Sequence, residues 1–101
     1  MRRYLLIRIY SEAPTVFTGE QFMEALMGSV RKYFGEFGAS KIEPRMLRFD
    51  PHKAEVIIAC HKDREKELQA AVALITDIAN LPVAALTLQI SGTIRSLSTR
   101  Q

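Results

Sequence analysis

Apolar and polar residues alternate along the opening stretch Arg3–Tyr10, which reads Arg-Tyr-Leu-Leu-Ile-Arg-Ile-Tyr. As a strand it places Leu5, Ile7 and Ile9 on one face and Tyr4, Leu6, Arg8 and Tyr10 on the other. The spacing then becomes helical: Phe22, Leu26, Val30, Phe34 and Phe37 recur along one stripe, widened by Ala25 and Met27. Thr18 is placed to cap this helix, with Gln21 completing a capping box and Phe17 and Phe22 at the two staple positions. Glu20 and Glu24 suit the positive end of the helix dipole, and Arg31 and Lys32 the negative end. Gly35 and Gly38 are expected to close it, Gly38 as a left-handed cap.

A second strand is expected over Lys41–Phe49, at a sheet edge because Pro44 lacks a ladder donor. Asp50-Pro51-His52-Lys53 has the chemistry of a type I turn, and the apolar run Ala54–Cys60 follows, so the two strands form a hairpin. Asp63 can cap a second helix with an inner stripe of Leu68, Ala71, Val72, Ile75 and Ile78, ended by Asn80 and Pro82. Val83–Ser91 alternates again, Leu86, Leu88 and Ile90 opposite Thr87, Gln89 and Ser91, and makes the fourth strand. The polar stretch Gly92–Gln101 forms a short helix or frays. The order β-α-β-β-α-β predicts an α+β fold, a ferredoxin-like or RRM-like αβ sandwich. Its four-stranded antiparallel sheet carries both helices on one face and leaves the other open for a partner.

A chain of 101 residues that is 48% hydrophobic fits one domain, spanning 1–101, with its own core. The net charge is only +3, so its placement matters more than its size. Arg2, Arg3 and Arg8 fall on the first strand, Lys41, Arg45, Arg48 and Lys53 around the hairpin, and Arg95 and Arg100 on the tail. The acids gather in the helical segments, so basic strands are expected to give the sheet one positive surface. Cys60 is the single cysteine, which excludes an intrachain disulfide. Arg8 interrupts the first apolar run, and no segment approaches the ~20 apolar residues that span a bilayer. The protein is expected in the cytoplasm, away from membranes.

Candidate chemistry is sparse. His52, Cys60 and His61 are the soft ligands, but His52 belongs to a turn and the adjacent pair points to opposite faces of a strand, so four converging metal ligands are not expected. Cys60 has no activating neighbour for nucleophilic work. No glycine-rich phosphate loop occurs. The third strand, Lys53–Cys60, lacks the aromatic residues on which RRM domains stack bases, leaving Tyr4 and Tyr10 on the first strand as possible stacking rings. What remains is a set of cations suited to phosphate contacts, which position a protein on nucleic acid without reading its sequence.

Three blocks, Arg3–Arg8, Tyr33–Lys41 and the run from Leu74-Ile-Thr through Pro82-Val83 to Ile90–Arg95, resemble the archaeal ribonuclease P protein component 2 family. The resemblance implies a non-catalytic subunit of ribonuclease P, the ribonucleoprotein endonuclease that removes the 5′ leader from precursor tRNA. It further implies ribonuclease P RNA, precursor tRNA and ribonuclease P protein component 3 as partners, the last in a heterotetramer. Bond cleavage would belong to RNA and magnesium, with no cofactor held by this chain. On position and charge, the RNA-contact candidates are Arg2, Arg3, Arg8, Lys41, Arg45, Arg48, Arg95 and Arg100. Protein-interface candidates are Phe34, Gly35, Phe37 and Gly38, and Ser91, Gly92, Thr93 and Ile94. The alternative is a ferredoxin-like regulatory module that binds a small molecule, since fold does not fix function.

Overall fold

The computed structural model describes residues 1–13 and 17–98. In chain order the elements are β1 (Arg2–Tyr10), α1 (Gly19–Ile42), β2 (Arg45–Asp50), β3 (Glu55–His61), α2 (Glu65–Ala73), β4 (Asp77–Ile78), β5 (Leu81–Pro82), β6 (Ala84–Ser91) and α3 (Ile94–Ser98). β2, β3, β1 and β6 form one antiparallel sheet in that order. This is the ferredoxin-like arrangement expected from the order of elements, with β4 and β5 added as a small hairpin. The inner strands carry apolar residues on both faces, including the fully buried run Val56–Cys60 of β3. β2 is polar enough for an edge.

Leu5, Ile7, Ile9, Val56, Ile58 and Cys60 meet Phe22, Leu26 and Val30 of α1 and Leu68, Ala71 and Val72 of α2 in the main core. Each large side chain removed from water there contributes roughly 1.5–3 kcal/mol. Ser29 is buried between the helices and donates its hydroxyl to the Ala71 carbonyl at 2.7 Å. The expected capping box is present: Thr18 Oγ1 accepts from the Gln21 amide at 3.1 Å, and Gln21 Oε1 accepts from the Thr18 amide at 2.9 Å. Phe17 and Phe22 are both buried beneath it. Asp50 Oδ1 accepts from the amides of His52 and Lys53, which closes the β2–β3 turn as its sequence indicates.

α1 departs from expectation at its end. Gly35 (φ 73°, ψ 178°) breaks the helical path, but the chain resumes it and runs on to Ile42. Such a conformation is open to glycine and nearly closed to other residues. Gly38 is therefore no cap. It is small because a Cβ there would lie 2.5 Å from the Phe34 Cβ. The left-handed cap is Glu43 (φ 52°), whose amide donates to the Ala39 carbonyl at 2.9 Å, with Pro44 behind it to stop the helix. The break shifts the phase of the stripe. Ala39 and Ile42 turn inward, and Phe37 is left 76% exposed instead of joining the core. β2 accordingly begins at Arg45, and Lys41 belongs to the last turn of α1.

α2 is shorter than its apolar spacing suggests. Asp63 (φ 72°) sits in a left-handed turn rather than at the cap, and Arg64 precedes the helix without a side-chain cap. The helix stops at Ala73. Ile78 reaches the core from β4 instead, and Ala79 and Asn80 (φ 51° and 68°) turn the chain back into β5. Two consecutive positive φ values suit a tight hairpin, so Asn80 and Pro82 mark a hairpin and not a helix end.

The second face of the sheet is not left open. α3 folds onto it and buries Leu97 against Leu6 and Ile57, with Tyr4 and Leu88 half-buried around them.

Candidate functional site

Strand pairing lays out the face opposite α1 and α2 in rows. Arg45, Ala59, Tyr4 and Ser91 form one row, and Arg48, Ile57, Leu6 and Gln89 the next. Asp50, Glu55, Arg8 and Leu86 form a third. Residues three apart on a regular strand point to opposite faces. Arg45 and Arg48 nevertheless share one, because the register of β2 shifts between Met46 and Arg48 and leaves Leu47 as the extra residue of a bulge. Their partners Ala59 and Ile57 are two positions apart on β3, so the arginines start roughly 6.6 Å from each other along the strand. That separation is comparable to the distance between neighbouring phosphates of one nucleic-acid strand. Both side chains are exposed, and no described carboxylate comes within ion-pair distance of either.

The first-strand arginines differ. Arg8 lies on the same face, but its Nε donates to Glu55 Oε2 at 3.1 Å and its Nη2 donates to the same oxygen. The hydrogen bond to Glu55, then that to Tyr10, holds the guanidinium above its ordinary pKa. Arg2 is placed 3.9 Å from Glu43 Oε1, an exposed pair of little energetic weight. Arg3 points to the helix side, where its Nε lies 3.3 Å from Glu65 Oε2. The expectation of one uniformly positive sheet surface is thus corrected: β1's arginines are each beside a carboxylate, and the exposed strand cations of that face are Arg45 and Arg48 on edge strand β2. Lys41, on α1, holds its Nζ over the Phe37 ring at 5.0 Å from the centroid. Arg95 is exposed on α3. Arg100 lies outside the described residues.

The interface candidates separate into two places. Phe34 packs against the core, while Gly35 and Phe37 are exposed on α1 and Gly38 is tucked beside Phe34. Ser91, Gly92, Thr93 and Ile94 form the junction from β6 into α3. Ser91 Oγ accepts from the Thr93 amide at 3.1 Å, Thr93 Oγ1 accepts from the Ser96 amide at 3.3 Å, and Ile94 is 37% exposed.

Cys60 is fully buried, and desolvation pushes its thiol up to about 11, so it carries no thiolate near neutrality. His61 beside it is exposed and His52 stands in the β2–β3 turn. Among the described residues no three His, Cys, Asp or Glu side chains come together as metal ligands, and no helix is long and apolar enough to cross a membrane. Two features of the face escape a reading of the sequence. Leu97 and Ile94 are the two apolar residues of a polar tail, too few for a periodicity that would say Leu97 folds back. The bulge is signalled only by the adjacent apolar pair Met46-Leu47 between two arginines.

The sequence model of the Rpp14/Pop5 family matches residues 3–100. Ribonuclease P protein component 2 of Pyrococcus horikoshii is 28% identical over 95 residues, covering 94% of this chain and 78% of that protein. Its counterpart in Methanocorpusculum labreanum is 33% identical over 96 residues, covering 95% of this chain and 63% of that protein. In structure the chain is similar to one in the cryo-EM structure of yeast ribonuclease MRP, with a TM-score of 0.75 over 93% of this chain and 76% of that one, at 17% identity.

Proposed function

The chain belongs to the Rpp14/Pop5 family, and on that premise we propose that it is a non-catalytic protein subunit of ribonuclease P, which assists a catalytic RNA in removing the 5′ leader of precursor tRNA. The observation that carries this reading is the family match over residues 3–100, together with relatives that are themselves ribonuclease P protein components. The chain's own chemistry agrees with a supporting role. Its thiol is buried and protonated, and its exposed cations suit phosphate oxygens. In this reading Arg45 and Arg48 contact the RNA backbone, magnesium acts at the RNA, and ribonuclease P protein component 3 is the protein partner in a heterotetramer. The exposed Phe37 and the half-exposed Tyr33 on α1 offer apolar surface for that partner.

Reconstitution tests the reading. Precursor tRNA cleavage is measured with the RNA and component 3, with and without this chain, at limiting magnesium. The chain should raise the cleavage rate and lower the magnesium requirement, and on its own it should cleave nothing. An unchanged rate, or cleavage by the purified chain without RNA, would overturn the proposal.

A further inference from the structure

α3 lies where a ligand of the sheet would lie, and one fully buried side chain, Leu97, seats it there. It is five residues long, far below the length at which a helix persists by itself. Leu97 is its buried anchor, while Ile94, Arg95 and Ser96 face solvent. Its first turn is capped locally by Thr93, whose amide is in turn held by Ser91. The last strand pair of β6 is at Ser91, so rotation at Gly92 would break the Thr93 amide–Ser91 Oγ hydrogen bond but no strand pair. Beneath Leu97 lies an apolar strip of Leu6, Ile57 and Leu88 with the ring of Tyr4 at one end, bordered by Arg45 and Arg48 on the neighbouring edge strand.

We propose that α3 is a displaceable cover, and that the strip beneath it binds an unpaired stretch of RNA. Bases take the place of Leu97 and stack on Tyr4, while Arg45 and Arg48 hold the adjoining phosphates. The inference rests on the RNA-contacting role proposed above and adds which form of RNA is taken and what regulates access to it. Charge complementarity selects the ligand, because two guanidinium groups with no described carboxylate beside them, next to an apolar strip, match a polyanion whose bases present flat π-faces. Base stacking on an aromatic ring tolerates any sequence. The ring sits on the first strand, which explains how a sheet without aromatics on its third strand can still serve. With the cover closed most of the time, the apparent affinity is the intrinsic one reduced by the fraction of open molecules.

The test uses a fluorescein-labelled oligouridylate of about ten nucleotides, within the range of known single-strand sites. Leu97→Ser, and separately a chain ending at Gly92, should each bind it roughly tenfold or more tightly than the intact chain. The truncation removes Arg95 as well, so charge alone would predict a loss. Adding Tyr4→Ala to Leu97→Ser should abolish the gain. No gain in either opened form, or a gain that survives Tyr4→Ala, overturns the proposal, as does a gain for a partner protein with none for the oligonucleotide. Should both opened forms fail to fold, amide hydrogen exchange of the intact chain decides: saturating oligouridylate should speed exchange at Leu97, and slowed or unchanged exchange refutes the cover. Loss of salt dependence on replacing Arg45 and Arg48 is a separate readout. If it appears and the gain does not, the RNA-contacting role stands and the cover falls.

Discussion

Replacing Arg45 and Arg48 by alanine should flatten the salt dependence of RNA binding by an amount that follows from counting phosphates. Each neutralised phosphate contributes about 0.7 to 0.9 to the slope of log affinity against log salt, depending on whether the RNA is single- or double-stranded. Two exposed guanidinium groups on one face therefore account for roughly 1.4–1.8 of a total slope of about 2–4 expected for 3–5 contacts. Between 50 and 200 mM salt, a fourfold range, the intact protein should lose about tenfold more affinity than the double variant. Single variants should each remove about half of the slope change. Arg3→Ala should alter it far less, since that guanidinium lies on the helix side beside Glu65 and would have to leave its partner to reach a phosphate. The assay is fluorescence anisotropy with ribonuclease P RNA across a salt series. Equal effects from Arg3→Ala and Arg48→Ala would show that total charge and not the β2 face governs binding. An unchanged slope in the double variant would remove this face from RNA contact.

Three glycines on α1 should respond differently to alanine, read by urea denaturation. Gly28→Ala meets nothing within 4 Å and should stabilise by about 0.5–1 kcal/mol. Gly35→Ala must adopt φ 73° and should destabilise by about 1–3 kcal/mol, while Gly38→Ala collides with the Phe34 Cβ and should lose a comparable amount. Thr18→Ala removes the capping hydroxyl and should cost about 1 kcal/mol. Cys60 should resist thiol reagents at pH 8 until the protein unfolds. Its folded pKa of about 11 lies above the value of about 8.5 expected when unfolded, so its contribution to stability is present below that lower value and is lost as pH rises toward the higher one. Cys60→Ala should lessen the decline in that window, by at most about 1.4 kcal/mol per pH unit. An identical alkaline decline in the variant would contradict the assignment.

Local chemistry made much of this protein legible before any coordinates. Alternation in Arg3–Tyr10, the capping box at Thr18 and the Asp-Pro turn at residues 50–51 each depend on neighbours a few positions away. A one-dimensional pattern records such neighbours faithfully. The order of those elements then leaves few ways to bury the apolar faces, and the ferredoxin-like sheet is the one the chain adopts. The errors are of another kind. Phe37 continues a helical stripe on paper, yet a single positive φ at Gly35 rotates it into solvent. Asn80 and Pro82 stop a helix or shape a hairpin equally well, and packing of Ile78 into the core decides between them.

The candidate site was the least legible part, because it depends on what lies across the sheet. The sequence by itself determined which residues are cationic and that four strands make the main sheet. Only the tertiary structure decided that Glu43, Glu65 and Glu55 stand beside the arginines of β1, that the Leu47 bulge turns Arg45 and Arg48 to one side, and that Leu97 covers the face beside them. Strand register and long-range pairing set those relations. A shift of one residue reverses a side chain's face, and no periodicity along the chain specifies which distant carboxylate an arginine will meet.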